Sequence, residues 1–258
     1  MLVVLAAALL ATTAPASAKA SKPARAPRFL VVIDPGHGGE ADGAVSPAGL
    51  KEKDLTLQIA QRVGAELRRR GMKVVLTRAG DLSVPLANRP AIANAIQADV
   101  FLSIHLNSMP TAEQRRRRTG IETYFLSADA SDSDASAVAA RENADRIAGE
   151  DALDPADPVA WILSDLSDAD SLAAASRLAH TLHETLVASM RAPDRGVKQA
   201  PFYTLAGARV PAVLLELGFI SHEEESKLLA TRAYQETIAR AIADAMVAYQ
   251  KEARRVRR

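Results

Sequence analysis

Three short stretches end on residues suited to hydrolytic chemistry. "VVIDPGHGG" places His37 among glycines after an apolar run, "SIHLN" places His105 at the end of a second run, and "LLELGF" places Glu216 at the end of a third. Val31, Val32 and Ile33 read as a buried strand, which Asp34, Pro35 and Gly36 stop, because proline lacks an amide donor and glycine permits a sharp turn. His37 therefore falls on a loop just past a strand's carboxyl end. The chain has no cysteine, so any metal must be held by imidazole and carboxylate. A catalytic zinc site takes about three protein ligands and keeps one position for water. The histidines supply two. Glu52, which opens a helix in "GLKEKDLTL" after the loop that starts at His37, is the candidate third. The other use for an acid there is to complement the helix dipole, a role Asp54 can fill. Glu216 sits among Leu214, Leu215, Leu217 and Phe219, where a carboxylate is unfavourable unless paired or used. It is either a partner for Arg78 or Arg89, or a base that takes a proton from metal-activated water and passes it to a leaving nitrogen.

The elements that must position these groups alternate. Residues 29–33 read as a strand, and Leu55, Ile59, Val63 and Leu67 recur every four positions along a helix from Glu52 to Arg70. Residues 72–77 form a second strand, a helix follows from 85, and 99–104, 120–126 and 212–217 are further strands. A helix over 234–249 closes the chain, with Ile238, Ile242 and Met246 on one face. Strands separated by helices imply an α/β fold, a mostly parallel sheet with helices on both faces. Ligands in such sheets bind beyond the strands' carboxyl ends, where His37, His105 and Glu216 all fall.

The chain has 258 residues, 48% hydrophobic, with a formal net charge of +1. This fits one large globular domain, or a domain with an insertion, and argues against a uniformly basic nucleic-acid binder. The runs "RRRR" at 115–118 and "ARRVRR" at the C-terminus read as a solvated loop and tail. "MLVVLAAALLATTAPASAKA" has the apolar core and small-residue cleavage site of a signal peptide, although no Lys or Arg precedes it. The expected organisation is a signal peptide at 1–20, a linker at 21–27, one catalytic domain at 28–250 and a basic tail at 251–258. Export to the periplasm without stable membrane insertion follows. Residues 128–170 differ in character: twelve acids stand against Arg141 and Arg146, in an insertion too long for an ordinary loop. "HTLHE" places His180 and His183 a helical turn apart, yet Leu178, Leu182 and Leu186 mark an ordinary amphipathic helix, so both read as surface or half-buried. His222 reads as a helix-cap neighbour.

"VVIDPGHGG", "GLKEKDLTLQIA", "VVLTR", "ADVFLSIHLN" and "VLLELGFIS" occur in this order. Together, over about 28–249, they resemble the zinc-dependent N-acetylmuramoyl-L-alanine amidases that separate daughter cells. The resemblance implies a six-stranded, largely parallel sheet. It also implies hydrolysis in peptidoglycan of the amide between the lactyl group of N-acetylmuramic acid and L-alanine. It assigns His37, Glu52 and His105 as zinc ligands and Glu216 as the catalytic glutamate. It further implies that "ASAVAARENADRIAG" is an inhibitory helix whose Glu142 caps the zinc, with Gly149 free to end it, and that a LytM-like periplasmic activator displaces it. "PVAWILSDL" at 158–166 is the expected docking segment. A zinc peptidase cutting stem peptides, a catalytically silent wall-binding module and a lysis enzyme of the same chemistry are the alternatives.

Overall fold

In the computed structural model, which describes residues 29–144 and 169–256, strand β1 (Leu30–Pro35) sends Val31 and Ile33 into one core and Val32 into another. This is the period-two alternation of a strand covered on both faces. The other strands are β2 (Lys73–Leu76), β3 (Val100–Asn107), β4 (Ile121–Leu126), β5 (Asp194–Ala200) and β6 (Ala212–Phe219). They form one six-stranded sheet in the order β2-β1-β3-β6-β4-β5. β2, β1, β3 and β6 run parallel, whereas β4 meets β6 antiparallel and pairs parallel with β5. The expected mostly parallel sheet therefore contains one reversal, between β6 and β4.

One face is covered by α1 (Glu52–Arg69), α5 (Ala169–Met190) and α7 (Arg232–Val256), which bury Leu55, Ile59, Leu178, Leu182, Ile238 and Ile242. The opposite face is covered by α2 (Asn88–Ala95) and α4 (Ser133–Asn143), through Ala93, Ala135, Val138 and Ala139. The short helices α3 (Ala112–Arg117) and α6 (Glu223–Leu229) complete the described elements. On the α2/α4 face each central strand begins apolar and ends polar. Val32 gives way to Asp34, Phe101 to Ser103 and His105, and Leu214 to Glu216, all buried. The polar half of that face lies at the carboxyl ends of β1, β3 and β6. Among the described residues, no helix is long and apolar enough to cross a membrane.

Several expectations change in detail. Helix α2 starts at Asn88 rather than 85, and the closing helix runs from Arg232 to Val256. Helix α4 stops at Asn143, whose side chain donates to the Pro201 carbonyl at 2.7 Å and accepts from the Tyr203 amide at 2.8 Å; Gly149 lies outside the described residues. His180 is exposed, but His183 is buried: its ring nitrogens lie 3.1 Å from Thr123 Oγ1 and 2.8 Å from Asp194 Oδ1, clipping α5 to β4 and β5. His222 caps α6 itself, accepting from the Glu225 amide. The signal peptide, the linker and "PVAWILSDL" lie outside the described residues.

Beneath the polar half of the sheet, fully buried Asp34 accepts from Arg89 Nη1 at 3.0 Å, Thr77 Oγ1 at 2.6 Å and Ser103 Oγ at 2.8 Å. Burial alone raises the pKa of such a carboxyl. Arg89 and the two hydroxyls override that and hold it below the ordinary 3.8. Its stabilising contribution is thus fully present above that value and fades as the pH falls through the lowered one. Asp34→Ala leaves Arg89 buried and uncompensated, so urea unfolding at pH 7 should show a loss of about 3–5 kcal/mol. The difference from the unsubstituted chain should shrink in acid.

Candidate metal centre and active site

Glu52 is the first residue of α1 and is 1% exposed. Its Oε1 accepts from the Leu106 amide at 2.8 Å and its Oε2 from the Ala44 amide at 2.9 Å. Pinned from both sides, Oε1 lies 3.0 Å from His37 Nε2 and 3.4 Å from His105 Nδ1. Glu142, from the last turn of α4, brings Oε2 to 2.8 Å from His105 Nδ1 and 3.3 Å from His37 Nε2. One nitrogen or oxygen from each of these four buried residues lies within 4.8 Å of the other three. Donors about 2.0–2.1 Å from a tetrahedral ion stand about 3.3 Å apart, and the four histidine–carboxylate distances here fall between 2.8 and 3.4 Å. His105 Nδ1 and Glu142 Oε2 are buried and make no well-directed hydrogen bond, although they stand 2.8 Å apart, as two ligands of one ion would. Two imidazoles and two carboxylates suit zinc.

The sharp turn after β1 has a steric origin. A Cβ at Gly36 would stand 2.4 Å from the His105 ring, and one at Gly43 would stand 2.6 Å from the His37 ring. His37 itself adopts φ 60°, an uncommon conformation for a residue with a side chain. Three cations hold the turn. Arg78 donates to the carbonyls of Pro35, Gly36 and Lys53 at 2.8–3.0 Å. Arg89 reaches the Pro35 and His37 carbonyls at 3.1 Å besides Asp34. Lys53 Nζ binds the Gly39 carbonyl at 2.6 Å and pairs with Asp42 at 2.9 Å and Asp81 at 3.0 Å. Arg78 and Arg89 are therefore committed to the loop backbone and are not partners of Glu216.

Glu216 is fully buried, opposite His105 across β3 and β6 and opposite Glu122 across β6 and β4. Neither of its oxygens has a hydrogen bond. The cation nearest it is Arg141, whose Nη2 stands 3.9 Å from Oε1. Arg141 also donates from Nη2 to Asn107 Oδ1 at 2.9 Å, from Nη1 to the Ser108 carbonyl at 2.7 Å and from Nε to Glu142 Oε1 at 3.2 Å. Asn107 is held in turn by Glu122, which accepts from its Nδ2 at 2.5 Å and from the Tyr124 hydroxyl at 2.9 Å. A cleft of about 650 Å³, lined by His37, Asp42, Glu52, Arg115, Arg141 and Glu142 among others, opens over the cluster.

The electrostatics favour a cation. Burial opposes ionisation of Glu52, yet the charge of His37 and contacts from both histidines hold its pKa at about 2. Burial likewise opposes a charged His105, but Glu142 and Glu52 outweigh it and push the pKa up to about 9; a proton and a metal compete for the same Nδ1. Glu216 moves the other way. Burial, with the charges of Glu142 and Glu52 beside it, lifts its pKa well above the ordinary carboxylate range. When ionised, three buried carboxylates facing one guanidinium carry two negative charges in excess, which a divalent ion balances.

The structure thus gathers His37, Glu52, His105 and Glu142 into one cluster and sets Glu216 beside it. Sequence reasoning missed Arg141 and Asn107 as parts of the site, and the cations under the loop. The signals were slight: Arg141 precedes Glu142, and Asn107 follows His105 by one strand repeat, so both face the same way.

A family described as N-acetylmuramoyl-L-alanine amidase matches residues 31–248. The chain is 36% identical over 222 residues to the N-acetylmuramoyl-L-alanine amidase AmiA of Escherichia coli K12, covering 85% of this chain and 75% of that protein. Its fold is similar to AmiC2 of Nostoc punctiforme, with TM-score 0.64, 31% identity and coverage of 86% and 97% of the two chains. It is also similar to the CwlD amidase of Clostridioides difficile, solved in complex with the GerS lipoprotein, with TM-score 0.64, 25% identity and coverage of 87% and 99%.

Gly36→Ala tests whether ring placement governs the cluster. The added methyl must displace the His105 ring, so affinity for zinc should fall about 10–100-fold, as when a supporting partner of a metal ligand is lost. Competition with a chelator measures it. Unchanged affinity would show that the ring has room to move.

Proposed function

For a chain that belongs to the N-acetylmuramoyl-L-alanine amidase family and is accordingly a peptidoglycan amidase, we propose that His37, Glu52 and His105 hold zinc and that Glu216 is the catalytic base. The observation that carries the reading is the approach of His37 Nε2 and His105 Nδ1 to Glu52 Oε1, at 3.0 and 3.4 Å, with a buried Glu216 beside them whose oxygens make no hydrogen bond. When bound, zinc supplies Lewis-acid polarisation of the amide carbonyl and lowers the pKa of a bound water to about 7. The Leu106 and Ala44 amides fix Glu52 so that the histidine rings keep their spacing. Glu216 accepts a proton from the attacking water and returns it to the alanine nitrogen as the carbon–nitrogen bond breaks. Its apolar neighbours raise its proton affinity toward the range that shuttling near neutral pH requires.

The described form is the resting enzyme in this reading. Glu142 fills the fourth donor position, where water and the scissile carbonyl belong, so α4 inhibits the enzyme. α4 is suited to being lifted: against the sheet it buries only Ala135, Val138 and Ala139, besides Glu142. The function follows as wall cleavage during daughter-cell separation, after export through the signal peptide, with a LytM-like periplasmic protein lifting α4. The CwlD amidase, solved in complex with the GerS lipoprotein, is a precedent for an amidase that takes a protein partner.

Two substitutions separate these roles. Glu216→Gln keeps shape but cannot take a proton; it should retain zinc and lose hydrolysis of purified sacculi by at least ~10²-fold, the low end for general-base catalysis. Near-normal turnover returns Glu216 to a structural role. Glu142→Ala should raise basal activity without any activator. If only deletion of 128–170 raises it, α4 blocks by bulk and Glu142 is not a ligand.

A further inference from the structure

The contacts of Arg141 and Glu142 form a pattern that inhibition alone does not require. Hydrolysis of an amide adds water across the carbon–nitrogen bond. The carbonyl carbon gains the water's oxygen and becomes a carboxylate, while the nitrogen gains both of the water's protons and leaves as an ammonium. Just after cleavage the active site must hold a carboxylate at the metal and a cation at the base, in contact with each other. Helix α4 presents that arrangement. The Glu142 carboxylate lies 2.8 Å and 3.3 Å from the two histidine nitrogens. The Arg141 guanidinium lies 3.9 Å from Glu216, and its Nε touches Glu142 Oε1 at 3.2 Å.

We propose that Arg141 and Glu142 imitate the two products of the reaction, and that the acceptors now holding Arg141 form the subsite for the alanine nitrogen. This rests on the amidase reading of the site and extends it to Asn107. Three acceptors define the subsite: Asn107 Oδ1 at 2.9 Å from Arg141 Nη2, the Ser108 carbonyl at 2.7 Å from Nη1, and Glu216. They suit a primary ammonium, which carries three donors and no acceptor. In the substrate, Asn107 Oδ1 and the Ser108 carbonyl hold the single amide N–H on their side, which leaves the nitrogen's other face turned toward Glu216, which must protonate it. Asn107 is built for a fixed orientation. It is buried, at the last position of β3, and its Nδ2 is committed to Glu122, which leaves its Oδ1 to face Arg141. The Ser108 amide donates to the same Oδ1 at 2.7 Å and fixes it further. Asn107 therefore reads the nitrogen, whereas His37, Glu52 and His105 address the carbonyl side.

The test uses the full chain with Glu142→Ala, loaded with zinc, and two probes: an L-alanyl stem peptide with a free α-amine and the same peptide N-acetylated. Competition against sacculi hydrolysis and calorimetric titration both report binding. The free-amine peptide should bind about 10–100-fold more tightly than the acetylated one, the range for hydrogen bonds to a charged group. Adding Asn107→Ala should remove most of that preference in a chain that still folds and still holds zinc, although the loss of the donor to buried Glu122 lowers its melting temperature. Full preference retained in a folded Asn107→Ala chain overturns the assignment. Should that variant fail to fold, hydrogen exchange of α4 in the unsubstituted chain decides. The free-amine peptide supplied with lactate should speed exchange over 135–143 and the acetylated peptide should not; equal effects overturn it. Failure of Glu142→Ala to raise basal activity counts against inhibition by α4 and leaves the amine preference, measured separately, to judge Asn107.

Discussion

The Glu52 carboxylate is buried between two histidine rings, and its oxygens are taken by amides from segments on either side: Ala44, eight residues before it, and Leu106, 54 residues after it. A buried carboxylate is tolerated only when hydrogen bonds and opposite charge compensate its lost hydration. Here the compensation is also the architecture. One amide anchors the loop after β1, the other the end of β3, and the remaining direction of Oε1 faces the rings. The loop that carries His37 cannot shift without breaking this arrangement. Its carbonyls are in turn gathered by Arg78, Arg89 and Lys53, so several buried cations stabilise a turn that His37, at φ 60°, would not adopt alone.

The reversal between β6 and β4 does two things that a wholly parallel sheet would not. It brings the start of β4 to the edge where β3 and β6 end, so Glu122 lies opposite Glu216 and braces Asn107. It also sends the chain out of β4 at the far edge, so that α4 must travel back along the α2/α4 face to its own last turn. Arg141 and Glu142 arrive at the site because of that return path. The helix's apolar anchor is slight. One valine and two alanines contribute about 3–4 kcal/mol of burial. Moving a two-state equilibrium from 1:99 to 99:1 takes about 5.5 kcal/mol of differential binding. A protein partner with one modest apolar contact surface supplies that much, which is why the small residues of α4 matter to the proposed regulation.

The polar groups of the α2/α4 face form a graded series rather than a scatter. Asp34, bonded to Arg89 and three hydroxyl-bearing residues, lies deepest. The metal-ligating candidates lie at the strand ends, and Glu216 stands between them and Glu122. β1, β3 and β6 carry apolar residues at their starts and polar ones at their ends on this face, whereas antiparallel β4 starts polar at Glu122 and ends apolar at Leu126. A single face thus serves as hydrophobic core and as active-site floor.

The placement of His37, His105 and Glu216 at or just past strand ends was legible from the sequence, because an apolar run marks its own end, and Glu52 was legible as the residue that opens a helix. An apolar run followed by glycine and histidine announces both the strand and the position past it. The helix of "GLKEKDLTL" was legible for a similar reason, since periodicity is a property of neighbouring residues. Strand β5 was not, because "DRGVKQA" is a half-exposed edge with little apolar signal. The roles of Arg78 and Arg89 were not, because their partners are mostly backbone carbonyls and Asp34, more than 40 residues earlier in the chain; a carbonyl leaves no trace in composition. The direction of β4 was not, because antiparallel and parallel neighbours share the same buried pattern. Only the tertiary structure set Arg141 against Asn107 and Glu216, 34 and 75 residues away in the chain, because an ion pair depends on separation in space and the sequence carries separation only along the chain.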